Sequence, residues 1–263
     1  MNRNIHPTAI VDVSANIDSS VVVGPYTVIG PNVSIDSGTI VGDHCVIDGN
    51  TTIGKDNVLY RFCSIGGVPQ DKKYKKESTE LIIGDRNTIR EFTTFNIGTA
   101  QDRSRTTIGN DNWIMAYVHI AHDCFIGNNI TLANSVQLGG HVNIGNWATI
   151  GGLTGIHQFS KIGAYVMVGG NSSLIQDVPP FVLCAGNPSR PVGINIEGLK
   201  RRNFSEDLIL EIKKAYKTIY RQGLSLIEAK SRLQSFYENS TEYSLYLKII
   251  LDFLNNSNRG IIR

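Results

Sequence analysis

Aliphatic residues recur at every sixth position through the first two-thirds of the chain. Apart from Phe95, every one of 24 such positions is aliphatic. The positions are Ile17, Val23, Ile29, Ile35, Val41, Ile47, Ile53, Leu59, Ile65, Ile83, Ile89, Phe95, Ile108, Ile114, Ile120, Ile126, Leu132, Leu138, Ile144, Ile150, Ile156, Ile162, Val168 and Leu174. A period of six does not match the 3.6-residue helical repeat. The pattern therefore predicts short strands wound into a parallel β-helix of hexapeptide repeats.

Each hexad has two further regular features. Glycine follows the lead residue in 13 hexads, which suggests that glycine adopts the corner geometry there. A small or β-branched residue comes four positions after the lead and should point inward, as with Cys45 and Cys63. Three hexads make a triangular turn of 18 residues, and turns stack about 4.8 Å apart. The two cysteines then fill the core one turn apart and are not a redox pair.

The repeat is interrupted twice, after Ile65 and after Phe95. Both interruptions follow a hexad of the same face, so both inserted loops, near 66–82 and 98–107, should leave the coil at one corner. Loops that break so regular a solenoid usually carry function.

The hexad pattern stops near Gly186, where GNPSRPVG suggests a linker. Ser205 is a plausible N-cap, and apolar residues then follow at helical spacing from Leu208 to Ile219. Amphipathic stretches near 225–237 and 241–255 complete a helical unit. We therefore expect two domains: a β-helix over 1–190 and a C-terminal α-helical domain over 191–263.

Composition narrows the class of protein. The 25 basic and 23 acidic residues give a net charge of +2, without the basic excess that is typical of nucleic-acid binders. No secretory signal and no apolar run of about 18 residues occurs, so we expect a cytoplasmic protein without a transmembrane segment. The four cysteines form no CxxC pair, which argues against a disulfide scaffold or a zinc site.

Three of the six histidines fall on one face of the coil. His122, His141 and His157 lie in hexads whose leads are 18 residues apart, hence on three successive turns. The cluster has three interpretations. The first is a polar ladder on a solvated face. The second is a metal site, although the different hexad positions would splay its ligands. The third is general-base catalysis by His122, oriented by the carboxylate of Asp123.

Two basic runs accompany this face. The first loop contains Lys72, Lys73, Lys75 and Lys76, and GLKRR contains Arg201 and Arg202. Because these basic runs flank the histidine face, they indicate a ligand that carries phosphate groups. No P-loop or dinucleotide fingerprint is present, so neither ATP nor NAD is expected.

The ordered motifs SIGGVPQDKKY, IGDRNTIRE, HIAHDC, LGGHV, IHQF, QDVPP and NIEGLKRR resemble the UDP-N-acetylglucosamine 3-O-acyltransferase family, which performs the first step of lipid A biosynthesis. The resemblance runs from HPTAIV to the terminal RGIIR. It implies a left-handed β-helix and a homotrimer with active sites between subunits. It also implies transfer of an (R)-3-hydroxyacyl group from an acidic acyl carrier protein to the sugar 3-hydroxyl. No cofactor is implied beyond the donor's own phosphopantetheine.

The resemblance also implies roles for individual residues. His122 would be the general base, Asp123 its orienting partner, and the Gly140 N–H the oxyanion donor. The substrate-binding residues would be Asp71, Lys73, His141, His157, Gln158, Asn195, Glu197, Arg201 and Arg202. Gly170 would act as the acyl-chain ruler, and glycine there favours a longer chain. Asn96 and Ile97 depart from the family's usual histidine–arginine pair, so no substrate contact is assigned to them.

Other functions compatible with hexapeptide repeats are less well supported. An N-acyltransferase of the same pathway would need an N-terminal uridine-binding domain, and an acetyl-CoA-dependent transferase a different C-terminal tail. A γ-class carbonic anhydrase would need a histidine pair five residues apart, whereas His119 and His122 are three apart. A structural or ice-binding solenoid would show stacked threonines without loops.

Overall fold

The computed structural model describes residues 4–239 and 244–263 as a coil of short strands followed by helices. The strands are β1 (Ile10–Val11), β2 (Asn16–Ile17), β3 (Val22–Val23), β4 (Val28–Ile29), β5 (Ser34–Ile35), β6 (Ile40–Val41), β7 (Val46–Ile47), β8 (Asn50–Ile53), β9 (Val58–Leu59), β10 (Ser64–Gly67), β11 (Glu80–Ile83), β12 (Thr88–Ile89), β13 (Thr94–Asn96), β14 (Arg105–Ile108), β15 (Trp113–Ile114), β16 (His119–Ile120), β17 (Phe125–Ile126), β18 (Thr131–Leu132), β19 (Gln137–Leu138), β20 (Asn143–Ile144), β21 (Thr149–Ile150), β22 (Gly155–Ile156), β23 (Lys161–Ile162), β24 (Met167–Val168), β25 (Ser173–Leu174), β26 (Val182–Gly186) and β27 (Ser189–Ile194). The helices are α1 (Ile196–Lys200), α2 (Glu206–Tyr220), α3 (Leu226–Glu238) and α4 (Ser244–Asn256).

The strands form the three faces of a prism. Sheet 1 runs β1-β4-β7-β10-β13-β16-β19-β22-β25, sheet 2 runs β2-β5-β8-β11-β14-β17-β20-β23, and sheet 3 runs from β3 in steps of three to β24, then β26 and β27. Lead residues pair with lead residues across each sheet, as Ile120 does with Leu138. From Val23 to Leu174 every lead is at most 3% exposed, so the predicted hexad register is confirmed. The coil begins before the first counted lead, Ile17, at an Ile5–Val23 bridge.

The expected role of the glycines was wrong except at Gly66, which has a φ of 81°. The corner residues in the left-handed region are mostly not glycine and come three positions after the lead, as with Tyr26 and His44. The glycine after the lead is instead required by stacking. A β-carbon on Gly24 would lie 2.8 Å from the backbone of Gly42 and Asp43 in the next turn. Close approach of successive backbones therefore selects glycine there, without any need for a positive φ.

Two loops interrupt the coil between sheet 1 and sheet 2. The first loop, residues 68–79, joins β10 to β11, and the second loop, residues 97–104, joins β13 to β14. Strands β10 and β13 are neighbours in sheet 1, and β11 and β14 are neighbours in sheet 2. Both loops therefore leave at the corner that the hexad count predicted, one above the other.

The predicted linker at GNPSRPVG is wrong, because β26 and β27 form an antiparallel hairpin that extends sheet 3 to Ile194. Hydrogen bonding continues there although the apolar repeat has ended. The predicted division at 190/191 stays a prediction. All four cysteines are buried and free, and Cys45 and Cys63 fill the core as predicted.

The helices follow the predicted signals, with one addition. The Ser205 hydroxyl accepts a hydrogen bond from the Leu208 N–H at the start of α2, and Ser225 with Glu228 forms a capping box on α3. The short helix α1 was not predicted. Helix α4 matches the expected 241–255 stretch and ends one residue later, and 241–243 lie outside the described residues. No helix in the described part of the chain has both the length and the apolar character to cross a bilayer.

Candidate active site

A groove of about 900 Å³ runs along the outer face of sheet 1 beside the first loop. Its floor includes the outward residues of four successive rungs, His119, Gln137, Gly155 and Ser173. These residues each precede a buried lead, so strand alternation turns them outward. His122, Gly140, His157 and Gln158 line the same groove. The structure therefore brings these four residues, predicted from separate motifs, to one surface.

His122 and Asp123 form a hydrogen-bonded pair at the corner that follows β16. The His122 Nδ1 lies 2.9 Å from Asp123 Oδ2, and Asp123 is 1% exposed. Asp123 adopts a left-handed backbone conformation, which lets adjacent side chains meet. Burial would raise the pKa of Asp123, but hydrogen bonds from His122 and Thr99 outweigh burial and lower it. The carboxylate is therefore ionised at neutral pH and can orient the imidazole.

Gly140 lies directly beneath the His122 ring. A β-carbon at residue 140 would come within 2.7 Å of His122 Nε2. Within the described residues, the Gly140 N–H donates no hydrogen bond, whereas the Gly139 N–H bonds to Ile156 O. A base nitrogen and a free backbone donor therefore face the same end of the groove.

His141 lies one turn from His122 and belongs to a second pair with a carboxylate. Its Nδ1 is 2.9 Å from Asp102 Oδ2 in the second loop. The ring stacks on Phe159 at 4.2 Å between centroids and meets His122 edge-on at 5.0 Å. His141 is therefore held on three sides.

The first loop brings Asp71 and Lys73 to the groove. The Lys73 N–H donates to Asp71 Oδ1 at 2.9 Å, and the ammonium lies 3.7 Å from Oδ2. The Lys73 backbone hydrogen bond is the largest cause that lowers the pKa of Asp71, and the charge of Lys73 adds to it. At the other end, the His157 Nδ1 lies 2.9 Å from the Gln158 carbonyl oxygen.

The remaining predicted binding residues lie on a different face of the prism. A second cavity of about 890 Å³, beside the corner residue Trp147 and the sheet 3 residue Met167, is lined by Asn195, Glu197, Arg201 and Arg202. Asn195 caps α1 by accepting from the Gly198 N–H. Arg202 lies over the Trp147 ring at 4.8 Å, and burial lowers the pKa of its guanidinium. One chain thus carries two separate groups of predicted ligand residues.

The predicted ruler, Gly170, is exposed at the corner between sheet 3 and sheet 1. Ser173, three residues after Gly170, lines the end of the groove beyond His157. A β-carbon at residue 170 would lie 3.2 Å from the Gly152 carbonyl oxygen.

Asn96 and Ile97 are buried, at 6% and 5% exposed. The Asn96 amide donates to Gly67 O and Val68 O, so it fixes the base of the first loop.

Three residues that contact the site were not selected from the sequence. His119 lines the groove, and its Nδ1 lies 2.7 Å from the Thr94 hydroxyl. Its place before the lead Ile120 could have indicated this. Thr99 and Asp102 carry no such signal, because their loop has no repeat register.

The expected splaying was wrong for His122 and His141, whereas His157 does not join their cluster. Ligand atoms of His122, Asp123 and His141 all lie within 4.8 Å of one another, a spacing that could hold a metal ion. Both Nδ1 atoms, however, already lie within hydrogen-bond distance of carboxylates. The expectation of no metal stays a prediction.

Comparison with known proteins gives consistent matches over the chain. Residues 177–262 match the family described as UDP N-acetylglucosamine O-acyltransferase, domain 2, and residues 105–140 match the bacterial transferase hexapeptide repeat. The acyl-[acyl-carrier-protein]–UDP-N-acetylglucosamine O-acyltransferase of Janthinobacterium sp. (strain Marseille) is 58% identical, covering 98% of this chain and 99% of that protein.

Solved structures of related enzymes match equally completely. The crystal structure of UDP-N-acetylglucosamine O-acyltransferase from Moraxella catarrhalis gives a TM-score of 0.95 at 45% identity, covering 99% of this chain and 100% of that one. The structure of Francisella novicida UDP-N-acetylglucosamine acyltransferase gives a TM-score of 0.95 at 40% identity, covering 98% of this chain and 94% of that one. The expected fold, a left-handed parallel β-helix followed by a helical region, is confirmed.

Proposed function

This chain belongs to the acyl-[acyl-carrier-protein]–UDP-N-acetylglucosamine O-acyltransferase family, and on that basis we propose that His122 acts as the general base of its acyl transfer. The reaction moves an (R)-3-hydroxyacyl group from acyl carrier protein to the 3-hydroxyl of UDP-N-acetylglucosamine, the first step of lipid A biosynthesis. The observation that carries the proposal is the buried Asp123–His122 pair at the groove, with Gly140 directly beneath the imidazole.

The pair defines the direction of proton transfer. Because Asp123 accepts from His122 Nδ1, the proton of the neutral imidazole lies on Nδ1, which leaves Nε2 as the base. Nε2 removes the proton from the sugar 3-hydroxyl as its oxygen attacks the thioester carbonyl carbon. The Gly140 N–H donates to the oxyanion that forms. When the intermediate collapses, the carbon–sulfur bond breaks and the phosphopantetheine thiolate takes the proton from His122.

Substrate contacts follow from the placement of the two loops and the groove. Asp71 and Lys73 reach the groove beside His122, where they are positioned to hold the sugar. His141, whose ring meets that of His122 edge-on, would contact the sugar from the next turn. His157 and Gln158 lie further along the same groove, on the path that the acyl donor would follow. Gly170 near its far end would limit chain length. The protein then needs no cofactor of its own, since the donor carries the phosphopantetheine.

A homotrimer would join the two separate groups of ligand residues. The groove lies on sheet 1, whereas Asn195, Glu197, Arg201 and Arg202 lie beside sheet 3. In such a trimer, sheet 1 of one subunit would lie beside sheet 3 of the next around a closed ring. Each active site would then take its base from one subunit and its uridine-diphosphate contacts from a neighbour.

Mixing two inactive variants tests this arrangement. Trimers refolded from equal amounts of His122→Ala and Arg201→Ala chains should regain about a quarter of the wild-type sites. Sedimentation should give three chains per particle. A monomer with full activity, or mixtures that stay inactive, would contradict shared sites.

The carrier protein is expected to dock on the basic surface around Lys200, Arg201 and Arg202. Attraction of an acidic partner to this surface should weaken as salt screens the charges. A cytoplasmic location suits a carrier-protein donor and stays a prediction.

The central experiment offers purified protein UDP-N-acetylglucosamine with mixed (R)-3-hydroxyacyl carrier proteins, and the product is analysed by mass. We expect an ester at the 3-hydroxyl, and His122→Ala should lower kcat by about 10²–10⁴-fold because the general base is lost. Full activity in His122→Ala contradicts the catalytic assignment. Product from acetyl-CoA, or only from the 3-amino sugar analogue, contradicts the donor or acceptor assignment.

A further inference from the structure

The second loop folds back onto the corner that carries both histidines. Thr99 contacts Asp123, the partner of His122, and Asp102 contacts His141 directly. We propose that Asp102 is a positioning residue, which fixes the orientation of His141 so that one defined nitrogen faces the sugar. This inference rests on the proposed function and adds a residue to its acceptor site.

The aromatic neighbours of His141 fix the plane of its ring but not which ring nitrogen carries the proton. Phe159 lies flat against one face, with an interplanar angle of 8°, and His122 meets the ring at 90°. Apolar stacking fixes the plane of the ring but does not distinguish its two nitrogens. Asp102 Oδ2, 2.9 Å from Nδ1, supplies that distinction because a carboxylate accepts a proton and donates none. Nε2 of neutral His141 is then an acceptor for a sugar hydroxyl.

Asp102 also keeps His141 from competing for the catalytic carboxylate. Asp123 Oδ2 lies 3.9 Å from His141 Nδ1, closer than any other carboxylate of the described residues except Asp102. That oxygen already accepts from His122 and from the Thr99 hydroxyl. Without Asp102, the His141 Nδ1 proton would turn to Asp123 and share the oxygen that orients the base. With both carboxylates present, each histidine has its own acceptor for its Nδ1 proton.

Other contacts of the loop suit this role. The Ser104 N–H donates to Thr99 O, which closes the loop, and the Gly98 N–H donates to Glu80 O. Gly98 packs so closely that a β-carbon would lie 2.2 Å from the Arg105 nitrogen. The base of the loop is therefore fixed, whereas the Asp102 side chain is 41% exposed. Exposed ion pairs contribute little to folding stability, so removing this carboxylate should act mainly through His141.

The first experiment separates binding from catalysis. Asp102→Ala should raise KM for UDP-N-acetylglucosamine roughly 10-fold, with kcat changed about threefold or less, as for loss of an orienting partner. Asp102→Glu should recover part of the loss. Gln101→Ala, an exposed neighbour in the same loop, is the control and should match wild type. An unchanged KM in Asp102→Ala overturns the proposal.

A double-mutant cycle and a spectrum test whether Asp102 acts through His141. In a His141→Ala background, Asp102→Ala should cause no further loss, whereas an undiminished loss overturns the proposal. Nitrogen-15 spectra of labelled histidine should show the Nδ1–H form of His141 in wild type. In Asp102→Ala the His141 nitrogen resonances should shift, because Nδ1–H has lost its acceptor and turns to Asp123, and unchanged resonances overturn the proposal. The spectrum requires no turnover, so inactive wild-type protein would contradict the proposed function alone.

Discussion

The imidazole of His122 occupies the space that a side chain at Gly140 would fill. A β-carbon at residue 140 would lie 2.6 Å from His122 Cε1 and 2.7 Å from Nε2, closer than real β-carbon contacts. The two residues lie on successive turns, so stacking of the coil brings the base against the backbone of the next corner. Glycine at position 140 therefore places the base and the oxyanion donor within one contact distance.

Gly140→Ala tests that relationship. The added methyl group should displace the His122 ring while leaving the Gly140 N–H in place. A misplaced base should lower kcat by about 10²-fold. Steady-state kinetics measures the loss, and thermal unfolding checks the fold. Gly193→Ala is the control, because nothing lies within 4 Å of a β-carbon there. Activity within threefold of wild type in Gly140→Ala would contradict the assigned geometry.

Thr99→Val tests the support of the catalytic carboxylate. The Thr99 hydroxyl donates to Asp123 Oδ2 at 2.6 Å, and valine keeps the shape while removing that donor. A lost hydrogen bond to a buried carboxylate should lower the free energy of unfolding by about 1–3 kcal/mol. Activity should fall too, because Asp123 orients His122 less firmly.

The effect of Thr99→Val on stability should depend on pH. The pKa of Asp123 is lower in the folded protein than its ordinary value, so the carboxylate stabilises the fold above about pH 4. That contribution is lost as the pH falls through the folded-state pKa. The stability difference between wild type and Thr99→Val should therefore be largest near neutral pH and shrink in acid, as measured by urea unfolding. A difference that is independent of pH would assign Thr99 a packing role only.

The period of six was enough to predict the coil, because every lead residue must face the same narrow core. It also predicted that His122, His141 and His157 share a face, since residues 18 apart stack. The hairpin of β26 and β27 could not be predicted in this way. Its backbone pairing continues sheet 3 without a lead residue in each hexad.

The site was predictable only where it follows the lattice or a motif. Asp102 meets His141 across 39 residues, through a loop whose path no repeat defines. Thr99 reaches Asp123 for the same reason. The convergence of His122, Asp123 and His141 also depends on left-handed corner residues, which turn side chains that the hexad positions alone would splay.

Gly170→Met tests the acyl-chain ruler. A long side chain at this exposed corner should obstruct the end of the groove near Ser173, so preference should move to shorter donors. Gly170→Ala is the control for backbone effects, since its β-carbon would only crowd the Gly152 carbonyl oxygen at 3.2 Å. Competition between carrier-protein donors of different length measures the shift. The same donor preference in Gly170→Met and wild type would refute the ruler.

Metal removal tests whether the close cluster of His122, Asp123 and His141 holds an ion. Both histidines direct Nδ1 at a carboxylate, and in the proposed reaction Nε2 of His122 must stay free to accept a proton. A cation bound to His122 would take the lone pair that the reaction uses. We therefore expect full activity after dialysis against a chelator and inhibition when zinc is added in excess. Loss of activity on chelation, restored by a stoichiometric amount of zinc, would show that the cluster is a metal centre.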